Sequence, residues 1–494
     1  MARNNAVRID KFVVEASEKD LVDSAGLGIG MRFIECLGFF RLCDQRLPVS
    51  DSNSGYSPSV YMKTLFALCL LHPDSAAPLE RIDDFRKSRA VRRMLGLKEI
   101  PTAKSVGDWL RRMAYSEILG RREDGSCIVG GYRHGLSGMQ NLHYETATTA
   151  LKRTRSAQPS LLDFDACAIH GEKKCDRKMY DGERGTMSYL AFVEDICLMA
   201  ELESGNHSPS DNISQRVASC LAICEVAGIP ILQFRSDAAA FESKVINHCC
   251  EKGITFYIRA DNDSAVSEAC ANIDDWGYWE VRSSKSNAFH ELGTAAHCMN
   301  KTYEAFMLVA KRVRIPNVGG DNSPQLPLSN LEPSYRYFSV ATNAMVTTEP
   351  SDGSGYATPN QIVETYNKRG NCENRIKQLV SDTQAGRLPT GDLGANRIYF
   401  YIMACLHNLL VLFKNECFDA QYRNLRLPGL IRLFLKIPAR VAFHSRALMI
   451  RLPVYMKRLT NVYQKILNKI SSQRRLFHKG RRAVSFHELV FRRD

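Results

Sequence analysis

Between Tyr366 and Lys377 the chain reads Tyr-Asn-Lys-Arg-Gly-Asn-Cys-Glu-Asn-Arg-Ile-Lys. Tyr366, Arg369, Glu373 and Lys377 stand at i, i+3, i+7 and i+11, a spacing that predicts one narrow helix face. Such a face offers a hydroxyl, a guanidinium, a carboxylate and an ammonium together. A neighbouring cation keeps the carboxylate ionised, so it can ligate a hard divalent metal. The remaining cations can grip phosphates, Arg369 bidentately. The same spacing also describes a solvated face with i, i+4 ion pairs, so the choice depends on residues elsewhere.

Acids stand at the ends of strand-like runs. Leu161 to Ile169 alternates and is rich in β formers, and its Asp163 and Asp165, two apart, share a face. Ile229 to Asp237 and Ile254 to Arg259 read as further strands, followed by Asp237 in Phe-Arg-Ser-Asp and Asp261 in Ile-Arg-Ala-Asp. An Asp in that place often only caps the next helix. Together with Glu373, however, Asp165 and Asp237 supply three carboxylates on separate elements. Three such ligands suit two Mg²⁺ or Mn²⁺ ions, about 3.5–4 Å apart, in phosphodiester chemistry.

The elements that must position these acids follow from composition and rhythm. At 494 residues, with 45% hydrophobic and 24% charged, the chain is an ordinary globular sequence long enough for several domains. Its first ten residues hold no apolar signal region, and no uninterrupted apolar run reaches about 18 residues, so no membrane partner and a cytoplasmic location are expected. Sixteen cysteines without paired CxxC spacing read as buried thiols in a reducing compartment, Cys220, Cys224, Cys249 and Cys250 included. The net charge of +13 is concentrated late: from Gln421 onward 18 Lys and Arg face two acids, against 48 and 51 before it. Runs such as Gln473-Arg-Arg, Lys479-Gly-Arg-Arg and Arg492-Arg493 suit nucleic-acid phosphates, with a solvated tail as the other reading.

Residues 1–115 show helical spacing, as in Met31-Phe33-Ile34-Leu37 and Val60 to Leu71, and are expected to form a helical DNA-binding domain. A helix after Pro101, capped by Thr102 or Ser105, would offer Lys104, Arg111 and Arg112 to phosphate in a helix-turn-helix-like unit. Residues 116–158 are Gly-, Ser- and Arg-rich and read as a linker. Residues 159–261 alternate strands with helices at Gln215 to Ala227 and Ala239 to Glu251, and Tyr189 to Met199 is one long apolar run. The sum is a mixed α/β core with ligands at the strand ends. Asp237 and Glu373 lie 136 positions apart, too many for a loop. Strand-like runs at Tyr278 to Val281, Ala305 to Ile315 and Tyr337 to Thr342 make residues 262–349 a β-rich insertion. Loops are expected at Ser323-Pro-Gln-Leu-Pro and from Glu349 to Gly355. Trp276 and Trp279 within it either stack on an unpaired base or fill the core. Residues 350–418 carry the Glu373 helix and complete the core, and 419–494 form a basic helical region.

Taken together, these motifs resemble the DDE transposases of the insertion sequence 1380 family, within the insertion sequence 4 superfamily. The first acid of that family lies in a strand like Asp-Phe-Asp-Ala followed by His-Gly, here His170-Gly171, and that register favours Asp165 over Asp163. The second lies in Arg-x-Asp, here Arg235-Ser-Asp237. The third lies in a Tyr-x2-Arg-x3-Glu-x6-Lys helix, matched by Tyr366, Arg369 and Glu373, with Arg369 to Lys377 and Ala395-Asn396-Arg397 also familiar. Two positions depart. Val380 stands where the family has its last lysine, for which Lys377 is the substitute one turn earlier, and Cys167 stands where Thr is commoner.

The resemblance implies a ribonuclease H-like fold with a five-stranded mixed sheet and a β-rich insertion. It implies Asp165, Asp237 and Glu373 as catalytic ligands of two Mg²⁺ or Mn²⁺ ions, with Tyr366, Arg369 and Lys377 on DNA phosphates. The expected partners are the terminal inverted repeats of the element and target DNA, bound by a homodimer in a bacterial, nucleoid-associated complex. The expected reaction cuts and joins DNA. The alternatives are an inactive DNA-binding relic or repressor, and a nuclease that cuts without joining.

Overall fold

The computed structural model describes residues 21–473, except 50–54, 74–77, 116–119, 122–126, 129–133, 155–159, 283–286, 315–334, 348–355 and 445–446. The helical spacing near the start becomes Leu27–Leu37 (α1), Phe39–Arg46 (α2), Pro58–Leu71 (α3), Arg89–Leu95 (α4) and Ala103–Ala114 (α5). Gly38, at φ 86°, turns the chain between α1 and α2 in a conformation that a side chain would strain. Thr102, rather than Ser105, caps α5 by accepting from the Ser105 amide at 3.1 Å. On α5, Arg111 binds Asp108 at 2.7 Å and Arg112 donates to the Asp108 carbonyl, while Lys104 is exposed.

The stretch expected to be a linker contains the 20-residue helix Gly135–Thr154 (α6). Met139, Leu142, Ala147 and Leu151 recur at helical spacing and are buried, and this stripe outweighs the loop-like composition around it.

Five strands then form the centre: Ser160–His170 (β1), Arg184–Val193 (β2), Ile196–Ser204 (β3), Ile231–Ser236 (β4) and Thr255–Arg259 (β5). The apolar run Tyr189 to Met199 is split into a β2–β3 hairpin, with Glu194 at φ 53° in its turn. Ile213–Ala227 (α7) connects β3 to β4, and Ser243–Glu251 (α8) connects β4 to β5. A short turn, Ala238–Ala240, stands where α8 was expected to begin. The strand order is β3-β2-β1-β4-β5, with β1, β4 and β5 parallel and β2 antiparallel to β1.

After Ser264–Ala271 (α9), four antiparallel strands follow: Trp276–Arg282 (β6), Asn287–His297 (β7), Phe306–Arg314 (β8) and Tyr335–Thr342 (β9). β9 pairs with the free edge of β5 through Val340–Arg259 and Ala341–Ile258, so the insertion adds four strands to the central sheet. The expected loops near Ser323 and Glu349 lie outside the described residues.

The chain returns through Pro359–Asn367 (α10) and Gly370–Lys377 (α11) to the 25-residue helix Leu393–Cys417 (α12). By length and composition α12 could cross a membrane, but 94% of its apolar window is buried within the fold. Enclosed by α5, α6 and β3, it is a core helix. Its Asn408 satisfies both the amide and the carbonyl of Cys197 at 2.8 Å.

The C-terminal region, expected to be helical, contains a hairpin of Ala439–His444 (β10) and Ala447–Arg451 (β11), and Leu21–Val22 pairs with β10. Lys457–Ser471 (α13) packs on α1 and α12 and buries Tyr463, Ile466 and Ile470. The basic runs after Gln473 lie outside the described residues. Cys220, Cys224 and Cys249 are free, buried thiols, and Cys250 is a free thiol at intermediate burial.

Candidate active site

The register of β1 on β4 sets Asp163 opposite Arg235 and Phe164 opposite Ser236. One step further, Asp165 comes beside Asp237, just past the end of β4. Asp237 also accepts from the Ala239 amide at 3.1 Å, so it caps the next turn while remaining at the strand end. Helix α11 packs over β1 and brings Glu373.

Arg369 joins the three acids. Its Nη2 lies 2.7 Å from Oδ2 of Asp165 and 3.7 Å from Oδ2 of Asp237, and its Nη1 lies 3.0 Å from Oε1 of Glu373. Exposure rises along the set: the side chain of Asp165 is 7% exposed, that of Asp237 31% and that of Glu373 62%. Burial pushes Asp165 up to about 7. The Arg369 guanidinium works against that shift without cancelling it, and Asp237 and Glu373 add to it. Arg369 itself is held above its ordinary range: burial opposes its charge, but Asp165 and Asp237 outweigh burial. Its Nε is buried and has no hydrogen-bond partner among the described residues.

Three carboxylates around one cation leave an excess of negative charge on hard oxygen donors. That donor set fits a divalent ion such as Mg²⁺ or Mn²⁺. Among the described residues no three His, Cys, Asp or Glu side chains stand close enough to hold an ion by themselves. Arg369 supplies positive charge between the acids.

The segment expected as one helix is broken. α10 ends at Asn367 and α11 begins at Gly370. Three-residue hydrogen bonds, Arg369 N to Tyr366 O at 2.8 Å and Cys372 N to Arg369 O at 2.7 Å, tighten the joint. Gly370, a poor helix former, stands at that joint. Tyr366 and Glu373 therefore sit on successive helices, and the Tyr366 hydroxyl still feels the charges of Arg369, Asp237 and Asp165. Tyr366 is partly buried against the cluster that includes Ile362 and Val363, and burial pushes its hydroxyl up. Lys377 is exposed at the end of α11. Beyond it the chain widens into a π turn, Gln378–Asp382, in which Val380 is partly buried against the core.

Asp163, the other candidate for the first acid, is fully engaged. Arg235 donates from Nε and Nη2 to its two oxygens at 2.6 and 2.9 Å, and Arg375 Nη1 donates at 3.0 Å. The sequence names Arg235 only as part of the Arg-x-Asp motif and gives neither arginine a role. The available signal was their place in Arg-Ser-Asp and Glu-Asn-Arg, each two residues from a candidate acid. Trp276 and Trp279 point to opposite faces of β6, so one base cannot meet both. Trp276 stacks on Tyr337 at 6.0 Å with Arg312 above it at 4.6 Å, and Trp279 packs beside Val281 and Leu292.

The family described as Transposase DDE domain group 1 matches residues 132–475, more than two thirds of the chain. Among solved structures, the chain is similar to a piggyBac transposase seen in a synaptic complex with hairpin DNA, at 10% identity and a TM-score of 0.41, over 95% of this chain and 90% of that one. No curated protein matches. The family match runs across β1, the end of β4 and α11, where the acids meet Arg369, and the chain belongs to the DDE transposases.

Proposed function

We propose that this transposase cuts and joins DNA at the ends of an insertion sequence of the 1380 family, using Asp165, Asp237 and Glu373. The observation that carries this reading is the convergence of acids from β1, the end of β4 and α11 on a single guanidinium. The order β3-β2-β1-β4-β5, with β2 alone antiparallel and a helix on each crossover, supports a ribonuclease H-like core, residues 159–261 and 350–418. Residues 262–349 extend that core's sheet. Residues 1–115 and the basic residues 419–494 are the DNA-binding regions.

Two Mg²⁺ or Mn²⁺ ions held by the three carboxylates would supply Lewis-acid activation and charge neutralisation at the attacking and leaving oxygens. The carboxylates act as ligands and not as nucleophiles, so no covalent protein–DNA bond is required. Asp165, the most buried, fixes the floor of the site, while Glu373 lies open to solvent and to DNA. Arg369 stands among the acids where a phosphate would lie, and Tyr366 and Lys377 flank it in sequence. Recognition of two inverted repeats and a target calls for a homodimer on DNA, in the bacterial cytoplasm at the nucleoid.

A supercoiled plasmid bearing inverted repeats tests the reading. Cleavage and strand joining, dependent on Mg²⁺ or Mn²⁺ and lost in Asp237→Asn or Glu373→Gln, are expected. Cleavage without joining would make the protein a nuclease, and DNA binding without either would make it a repressor.

A further inference from the structure

Each of the three acids lies two residues from a member of a second cluster. Asp163 precedes Asp165, Arg235 precedes Asp237, and Arg375 follows Glu373. Both arginines bind Asp163: Arg235 grips both of its oxygens at 2.6 and 2.9 Å, and Arg375 reaches Oδ2 at 3.0 Å. The side chains of Arg235 and Asp163 are 3% and 2% exposed. Arg235 also donates to the Thr365 carbonyl at 2.6 Å, which ties in the last turn of α10. Arg375 donates to Asp195, in the β2–β3 turn, at 3.1 Å. One carboxylate and two guanidiniums thus pin β1, β4, α10 and α11 together beside the candidate acids.

Such a cluster is a weak device for stability, because charges lose solvation when buried and apolar residues of the same volume often do as well. It is a strong device for geometry. The planar fork of an arginine fixes orientation as well as distance. Along a strand, residues two apart share a face, so any displacement of Asp163 or Arg235 is passed to Asp165 or Asp237.

We propose that Asp163, Arg235 and Arg375 are positioning residues that set the separation and orientation of Asp165, Asp237 and Glu373 for ion binding. This rests on the assignment of those acids above.

The test is Mn²⁺ titration of the full chain, following free Mn²⁺ by electron paramagnetic resonance, with thermal unfolding as the check on folding. Asp163→Asn and Arg375→Gln are compared with Asp165→Asn, as a ligand-loss reference, and with Arg216→Gln, which breaks the Arg216–Glu201 pair of α7 and β3. Both positioning variants should fold and bind Mn²⁺ about 10–100-fold more weakly, with Arg216→Gln within about twofold of wild type. Affinity within about twofold of wild type in both, or a loss in only one, overturns the proposal. An equal loss in Arg216→Gln overturns it too, since the effect would then be general destabilisation. Should neither variant fold, Arg375→Lys keeps the charge without the fork. An unfolded Arg375→Lys means that the cluster serves the fold alone, and a folded one must show the Mn²⁺ loss. Full affinity in Asp165→Asn overturns the acid assignment and this proposal together. Loss in Asp165→Asn but in neither positioning variant overturns only the proposal.

Discussion

The guanidinium of Arg369 donates to Oδ2 of Asp165 at 2.7 Å across 204 positions of sequence. A cation from the joint between two helices thereby sits on the most buried of the three candidate acids. It holds together a group of like charges that would otherwise repel one another.

Removing that cation exposes the repulsion. Arg369→Ala should lower metal-free stability by about 3–5 kcal/mol, the usual cost of breaking a buried pair. It should also show a larger rise in Tm on adding Mn²⁺ than the wild type does, because the ion replaces the missing charge. Equal Tm rises in the two proteins would place the ion elsewhere.

Loss of a ligand should separate binding from chemistry. Asp165→Asn, Asp237→Asn and Glu373→Gln keep side-chain shape and remove charge, so each should bind end DNA yet neither nick nor join it. Gel shift and plasmid cleavage measure the two properties. Activity within about tenfold of wild type in any one of them would remove that residue from the site.

Asp165 predicts a pH dependence of stability. Its proton is held more tightly in the folded protein, up to about 7, than at its ordinary value of 3.8. Between these values the unfolded chain ionises first, so the group costs stability as pH rises, and the cost levels off above about 7. The full cost is at most about 4 kcal/mol. Urea unfolding in chelator, from about pH 4 to about pH 8, should show wild type losing stability relative to Asp165→Asn. Parallel profiles would mean that the acid titrates normally.

The basic C terminus should contribute charge-based affinity. A cut after Asn461 would remove the buried Tyr463, Ile466 and Ile470, so the informative cut is after Gln473. Deleting residues 474–494 should weaken binding to all duplexes and flatten its salt dependence, by about 0.9 in log–log slope for each DNA phosphate that the tail neutralises. Preference for the inverted repeats over random DNA should persist. Unchanged slopes would mark the tail as a solvated surface.

Local signals were legible wherever one face of an element, or one cap, was decided nearby. The alternation around Asp163 and Asp165, the Asp closing β4, and the Thr102 cap needed only neighbours within a few residues. So did the existence of strands between Asp237 and Glu373. Where chain direction changed, local signals misled: the apolar run from Tyr189 to Met199 conceals a hairpin turn at Glu194, and Tyr366 to Lys377 conceals a joint at Gly370. The stripe of α6 was hidden because its helix lies among Gly, Ser and Thr, and burial against α12 decides it.

By itself the sequence determined which residue types could do the chemistry and the kind of element that carries each. Only the tertiary structure decided their company. Asp163 and Asp165 share a strand face, and their spacing alone does not tell them apart. Strand register and helix packing hand Asp163 to Arg235 and Arg375, 72 and 212 positions away, and Asp165 to Arg369. The reason is physical: a carboxylate taken out of water must find a cation, and which cation is within reach depends on how distant segments pack, which no local pattern encodes.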